Sequence, residues 1–140
     1  GVLILDLPVE ESGEYRRIIA SYGLKIIYLL APTSNDKRIR LICRNASGFI
    51  YYVSRTGVTG MRDAVENDVN SMVIKIKWHT HLPVVVGFGI SKPSHVREVA
   101  KYADGVVVGS AIVKRIEDNI GSPFLVSRTC RFVRSLTRVL

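Results

Sequence analysis

The stretch Val84-Val85-Val86-Gly87-Phe88-Gly89-Ile90-Ser91 constrains this chain more than any other. Three consecutive β-branched residues make a strand too apolar to face water on either side, the composition of a buried parallel strand. The strand runs into two glycines around one aromatic. Ser91 and Pro93 then mark a helix start, with the stripe Val96, Val99, Ala100 and Ala103. Glycines at the carboxyl end of such a strand let backbone N–H groups approach an anion with no side chain in the way. Gly105-Val106-Val107-Val108-Gly109-Ser110-Ala111-Ile112-Val113-Lys114 repeats the plan.

The preceding chain follows the same alternation. Gly1 to Asp6 reads as a strand, Leu7-Pro8-Val9 as a turn, and Glu10-Glu11 as the start of a helix whose dipole they oppose. Tyr15, Ile18, Ile19 and Tyr22 fall at helical spacing and predict a buried stripe, closed by Gly23 as a C-cap. Lys25–Leu30 is the second strand, ended by Ala31-Pro32. Ser34 or Asn35 caps a helix with the stripe Ile39, Ile42, Cys43 and Ala46. Phe49–Val53 is the third strand. The small, polar loop Ser54–Gly60 leads to a long helix with Val65, Val69, Met72, Val73 and Ile76 inward. After the fifth strand, Gly105–Val108, come a short helix from Ser110 and a closing helix from Ser122-Pro123. Phe132, Val133, Leu136 and Leu140 are its expected core residues.

Strand and helix alternate at intervals of roughly 20 to 30 residues, which parallel βα units explain most economically. The pair Gly87 and Gly89 lacks the third glycine of G-x-G-x-x-G, which weighs against a dinucleotide-binding sheet. The extra short helix after the last strand favours an eight-stranded barrel, where the loops after strands seven and eight and such a helix hold phosphate. The expected fold class is therefore α/β, a (β/α)8 TIM barrel. Residues 1–140 form a single domain that covers units 4 to 8, the C-terminal five-eighths.

Composition narrows the partners. Apolar residues make up 47% of the 140, and no apolar run approaches the roughly 18 residues that span a membrane. No basic-then-apolar leader is present, and Cys43 and Cys130 form no metal-ligand spacing. Both thiols fall in expected helices as packed, reduced side chains, in keeping with a cytoplasmic setting. The net charge of +8 raises the question of nucleic acid. Its densest patch, Arg128, Arg131, Arg134 and Arg138, comes with no recognisable nucleic-acid motif and reads as a solvated helix face. Neither nucleic acid nor membrane is an expected partner.

Chemistry concentrates at the carboxyl ends of the strands. Gly87, Phe88 and Gly89 offer N–H donors after one strand. Gly109 and Ser110 offer more at a helix start, where the dipole favours an anion. A third glycine loop carries Gly57 and Gly60. Tyr51 and Phe88 on the same rim either hold a planar ring or fill the top of the barrel. Asp6 is the one carboxylate at that rim, and capping the bend at Leu7-Pro8 accounts for it as well as proton transfer does. His79 and His81 close a helix on the opposite side, and His95 lies near a helix start. None of the three has a nucleophile or metal-ligand spacing.

Asp6–Glu11, Ser54–Gly60, Val86–Ser91 and Asp104–Val113, in this order and spacing, resemble the tryptophan synthase alpha-subunit family over essentially the whole chain. The resemblance implies a lyase of tryptophan biosynthesis that cleaves indole-3-glycerol phosphate to indole and glyceraldehyde 3-phosphate. It implies a beta-subunit partner in an alpha2beta2 heterotetramer. That partner carries pyridoxal phosphate, receives the indole through a tunnel and joins it to serine, while no cofactor is expected in this chain. Carried over by residue, Gly60, Gly87, Phe88, Gly89, Gly109 and Ser110 surround the substrate phosphate. Tyr51, Phe88, Leu3 and Leu29 line the indole pocket. Arg55, Gly57 and Thr59 belong to a closing loop, and Asp6 and Pro8 form a partner-facing turn. The family's catalytic Glu and Asp come from segments that precede Gly1, so no catalytic residue is expected here. By that resemblance the isolated chain is inactive. Its alternative is a non-catalytic, truncated barrel fragment that binds only phosphate or a partner. Another phosphate-handling barrel, such as a sugar-phosphate isomerase, is a third reading.

Overall fold

The computed structural model describes residues 1–54, 62–87 and 89–139, with backbone alone over 62–67. Five strands alternate with helices: β1 (Val2–Leu3), α1 (Gly13–Ser21), β2 (Ile26–Leu30), α2 (Asp36–Asn45), β3 (Ile50–Val53) and α3 (Arg62–Lys77). Next come β4 (Val84–Gly87), α4 (Pro93–Val99), β5 (Gly105–Val106), α5 (Ser110–Glu117) and α6 (Leu125–Thr137). Every strand pairs in parallel with its sequence neighbour, in the order β1-β2-β3-β4-β5. With right-handed crossovers throughout, a sheet wound in sequence order carries its helices on one face.

The side chains sort by that rule. Val2, Ile26, Tyr28, Leu30, Ile50, Tyr52, Val84, Val86 and Val106 share one face through the strand register. All join the core with Ile39 and Ile42 of α2, Val69, Val73 and Ile76 of α3, and Val96 and Val99 of α4. Leu3, Ile27, Leu29, Tyr51, Val53, Val85 and Gly87 alternate with them on the other face, and none belongs to that cluster. The second face is thus apolar without being part of the helix-packed core. A one-residue slip in any strand would exchange the two sets, so this pattern fixes the register.

Local sequence sets the helix boundaries. Asn35, rather than Ser34, caps α2, and its Oδ1 accepts from the Arg38 N–H at 2.9 Å. The Ser34 hydroxyl accepts instead from Ala31 N. Gly23, at φ 68, takes the left-handed conformation just past α1 that a side chain would disfavour.

Several expectations are corrected. β1 is two residues rather than six, because the chain bends at Leu5 and Asp6. α1 begins at Gly13 rather than Glu10, because Val9–Ser12 form a turn with Ser12 N bonded to Val9 O. Of the stripe expected to be buried, only Ile19 is; Tyr15 and Ile18 are 50% exposed and Tyr22 77%. Within the described residues, α1 follows β1, which pairs with β2 alone. Cys43 is buried, and its thiol is pushed up to about 11 by desolvation, but Cys130 is exposed rather than packed. In α6, Leu136 is buried, and Phe132 packs against the core and under Arg115. Arg128, Arg131, Arg134 and Arg138 are exposed as expected. The expected contributions of Val65 and Leu140 lie outside the described side chains.

Asp104 ties three elements together at the amino edge of the sheet. Its Oδ2 accepts from Val84 N at 2.8 Å, its Oδ1 from Lys77 Nζ at 2.9 Å, and its own N–H donates to Val84 O. Partial burial raises the carboxyl's pKa. The Val84 N–H, the Lys77 hydrogen bond and the Lys77 charge outweigh that and hold it below 3.8. Asp104→Ala leaves the Val84 N–H unpartnered and is expected to cost roughly 1–3 kcal/mol. The half-exposed ion pair adds little. A depressed carboxyl stabilises fully above its unfolded value and progressively less as pH falls through its folded one. The gap in melting temperature between wild type and Asp104→Ala should therefore narrow below about pH 3.8. Asp104→Asn, which keeps an acceptor for Val84 N, should recover most of the loss at neutral pH. Equal melting temperatures at pH 7 would contradict this assignment.

Candidate functional site

In a parallel sheet every strand ends at the same edge, so the segments after β1 to β5 share one rim. Asp6 and Pro8 follow β1, Ala31-Pro32 follow β2, Ser54 follows β3, Gly89 and Ser91 follow β4, and Gly109 and Ser110 follow β5. β4 and β5 are hydrogen-bonded neighbours, and Val107 N extends their ladder to Val86 O at 2.9 Å. The two glycine-bearing ends therefore lie side by side.

Gly109 is the N-cap of α5. Its carbonyl accepts from Ile112 N and Val113 N, which leaves the N–H groups of the first helical residues aimed out of the helix at its positive end. A Cβ at Gly109 would meet nothing within 4 Å, and Gly109 and Ser110 are both exposed. Gly89, also exposed, has φ 48, a left-handed conformation suited to glycine. Together these residues form an uncovered set of backbone donors with a hydroxyl beside it, chemistry of the kind that can pair with an oxyanion.

Gly87 differs. It is buried, and a Cβ there would sit 2.5 Å from Tyr51 Oη, 2.6 Å from Cε2 and 2.9 Å from Cζ. The Tyr51 ring thus occupies the space a side chain at Gly87 would need. Tyr51 pairs with Leu29 on one side and Val85 on the other, and Leu3 pairs with Ile27 two residues before Leu29. Tyr51, Leu29 and Leu3 consequently share the face away from the helices, where they make a partly exposed apolar wall ending below the glycine rim. A flat apolar ring carrying an anionic tail would match this order of surfaces, ring against the wall and tail at the rim.

The structure brings Tyr51, Leu3, Leu29 and Gly87 onto one face and Gly89, Gly109 and Ser110 onto one rim. Asp6 and Pro8 lie at that rim on the opposite edge of the sheet and are exposed. Phe88, Arg55, Gly57, Thr59 and Gly60 lie outside the described residues. His79 closes α3 at the far edge, bonded through its N–H to Ile76 O, and His95 Nδ1 accepts from Ser91 N at 3.4 Å.

One group escaped the sequence reading. Ser12 is fully buried and its Oγ lies 2.5 Å from Tyr28 Oη. A tyrosine at a helix-facing position of a buried strand needs a partner for its hydroxyl, and that requirement was the available clue.

Comparison with known proteins matches this architecture. The sequence model of the family described as Tryptophan synthase alpha chain matches residues 1–135. The tryptophan synthase alpha chain of Opitutus terrae is 54% identical over 123 residues, covering 88% of this chain and 46% of the relative. That of Geobacter sulfurreducens is 56% identical over 117 residues, 84% of this chain and 44% of the relative. Among solved structures, the tryptophan synthase a2b2 complex from Pyrococcus furiosus superposes with a TM-score of 0.84 at 36% identity. The match covers 99% of this chain and 55% of that one. The chain spans about half the length of the curated relatives it matches.

Proposed function

Because the chain belongs to the tryptophan synthase alpha chain family, we propose that it supplies the phosphate grip and part of the indole wall of a lyase in tryptophan biosynthesis. The substrate is indole-3-glycerol phosphate. The observation that carries the reading is the order of surfaces at β3, β4 and β5: an apolar wall of Tyr51, Leu29 and Leu3 beneath exposed backbone donors at Gly89, Gly109 and Ser110. Phe88 and Gly60 complete the grip by family correspondence, and Arg55, Gly57 and Thr59 belong to the loop that closes over it.

The reaction breaks the bond between indole C3 and the adjacent glycerol carbon. A proton leaves the neighbouring hydroxyl as the aldehyde forms, and indole C3 takes a proton with the released electron pair. Phosphate binding at the rim fixes one end of the substrate and the apolar wall fixes the ring, so the scissile bond is held between two anchors. Residues 1–140 supply these anchors and carry over no proton-transfer group. The 140-residue chain by itself is accordingly expected to release no indole. The beta subunit, with its pyridoxal phosphate, is the proposed partner in an alpha2beta2 assembly in the cytoplasm, docking near Asp6 and Pro8.

A substrate screen separates this reading from a sugar-phosphate barrel. The protein as the cell makes it should release indole from indole-3-glycerol phosphate and leave triose and pentose phosphates unchanged. Turnover of a sugar phosphate with no indole release would replace the proposal.

A further inference from the structure

We propose that Tyr28 and Ser12 are positioning residues that hold the loop between β1 and α1 in a preformed docking conformation for the beta subunit. The inference rests on the reading that the Asp6–Pro8 turn faces that partner. The loop has exposed tips and a fixed base. Leu5, Asp6 and Pro8 are exposed, whereas Val9 is 3% exposed and Ser12 is completely buried.

The hydrogen bonding beneath the loop has a direction. Ser12 Oγ donates its single proton to Val9 O at 2.7 Å. The contact with Tyr28 Oη at 2.5 Å must then use the tyrosine as donor, giving a chain Tyr28 O–H to Ser12 Oγ–H to Val9 O. All three members are buried, and the chain links the middle of β2 to the loop's backbone. The Val9–Ser12 turn is closed again by Ser12 N to Val9 O, and Glu11 N bonds to Pro8 O. A second pin is the ion pair between Glu10 and Arg38, which ties the same loop to α2. Burying two hydroxyls in an apolar layer is costly unless both are satisfied. Here both hydroxyls are partnered with the loop in this conformation.

Loss of preorganisation weakens association without removing a contact, because the ordering must then occur on binding. The directed chain also predicts an asymmetry. Tyr28→Phe removes the terminal donor and leaves the Ser12 to Val9 bond intact. Ser12→Ala strands the buried tyrosine hydroxyl and leaves the Val9 carbonyl with the 3.4 Å bond from the residue-12 N–H alone. The double variant removes the stranded hydroxyl and should regain part of the Ser12→Ala loss.

The test uses the protein as the cell makes it, titrated calorimetrically with the pyridoxal-phosphate beta subunit and separately with 3-(indol-3-yl)propyl phosphate. Tyr28→Phe is expected to weaken beta-subunit binding roughly two- to tenfold. Ser12→Ala should weaken it more, the double variant should lie between them, and affinity for the phosphate ligand should stay unchanged in all three. Unchanged beta-subunit affinity in every variant, with wild type binding normally, would overturn the positioning role alone. Equal losses for both ligands would also overturn it, by showing general destabilisation. No beta-subunit binding by wild type would overturn the docking reading itself.

Discussion

Alanine at Gly87 is expected to displace the Tyr51 ring and to lower both stability and affinity for an indole-bearing ligand. The added methyl would lie within 3 Å of three Tyr51 side-chain atoms, the hydroxyl Oη and the ring atoms Cε2 and Cζ. A rigid aromatic pinned on β3 cannot yield by a torsion at its far end alone. Overpacking of this kind typically costs about 1–3 kcal/mol. The ring is also part of the proposed wall, so the same displacement should raise the dissociation constant for indole about tenfold, the equivalent of ~1.4 kcal/mol. The compensating variants discriminate among causes. Tyr51→Phe removes Oη but leaves Cε2 and Cζ in place, so Gly87→Ala should remain disruptive in its presence. Tyr51→Val removes the ring and should restore stability to the double variant without restoring indole affinity. Chemical denaturation and fluorescence titration with indole would read both quantities. A Gly87→Ala protein as stable as wild type, with the same indole affinity, would show that the ring does not rest on that glycine.

Gly109 provides the contrasting case. No atom lies within 4 Å of a Cβ built there, so a side chain meets open space rather than a neighbour. Its backbone, at φ −112° and ψ −83°, lies outside the α and β regions that a branched residue takes readily. Gly109→Val should therefore fold without a steric clash, at a backbone cost of about 1–3 kcal/mol. What it loses is access, since the branched side chain would cover the N–H groups at the start of α5. The two glycines would thus separate a packing requirement from a ligand requirement within one rim.

Much of this arrangement was legible in the sequence because it rests on local, repeated features. The valine runs before Gly87 and Gly109 announced parallel strands, whereas Leu29 joined Tyr51 through the family resemblance and the strand register. The five βα units followed from the alternation itself. The failures share one physical origin, which is that burial depends on what lies beside an element as well as on its own periodicity. Tyr15, Ile18 and Tyr22 have the spacing of a core stripe, yet in this chain, which spans about half the length of its relatives, only Ile19 of α1 reaches the core. Cys130 lies in an amphipathic helix on the exposed side of it. The directed hydroxyl chain of Tyr28, Ser12 and Val9 joins residues 16 positions apart, and a sequence pattern cannot show which hydroxyls meet. Nor does spacing show that Gly87 serves the ring of Tyr51 while Gly89 and Gly109 open to solvent, since all three are glycines at or just beyond the end of a valine run.

The central claim is that the ends of β4 and β5 hold the phosphate of a substrate whose ring lies against Tyr51. The most direct measurement compares two ligands on wild type and Gly109→Val, in the protein as the cell makes it, by calorimetry. The ligands are indole and 3-(indol-3-yl)propyl phosphate, which lacks the hydroxyls needed for cleavage. Gly109→Val should bind the phosphate ligand at least about tenfold more weakly, as expected for losing a set of charge-assisted hydrogen bonds. It should bind indole as wild type does. Unchanged binding of the phosphate ligand, or an equal loss for both, would contradict the account.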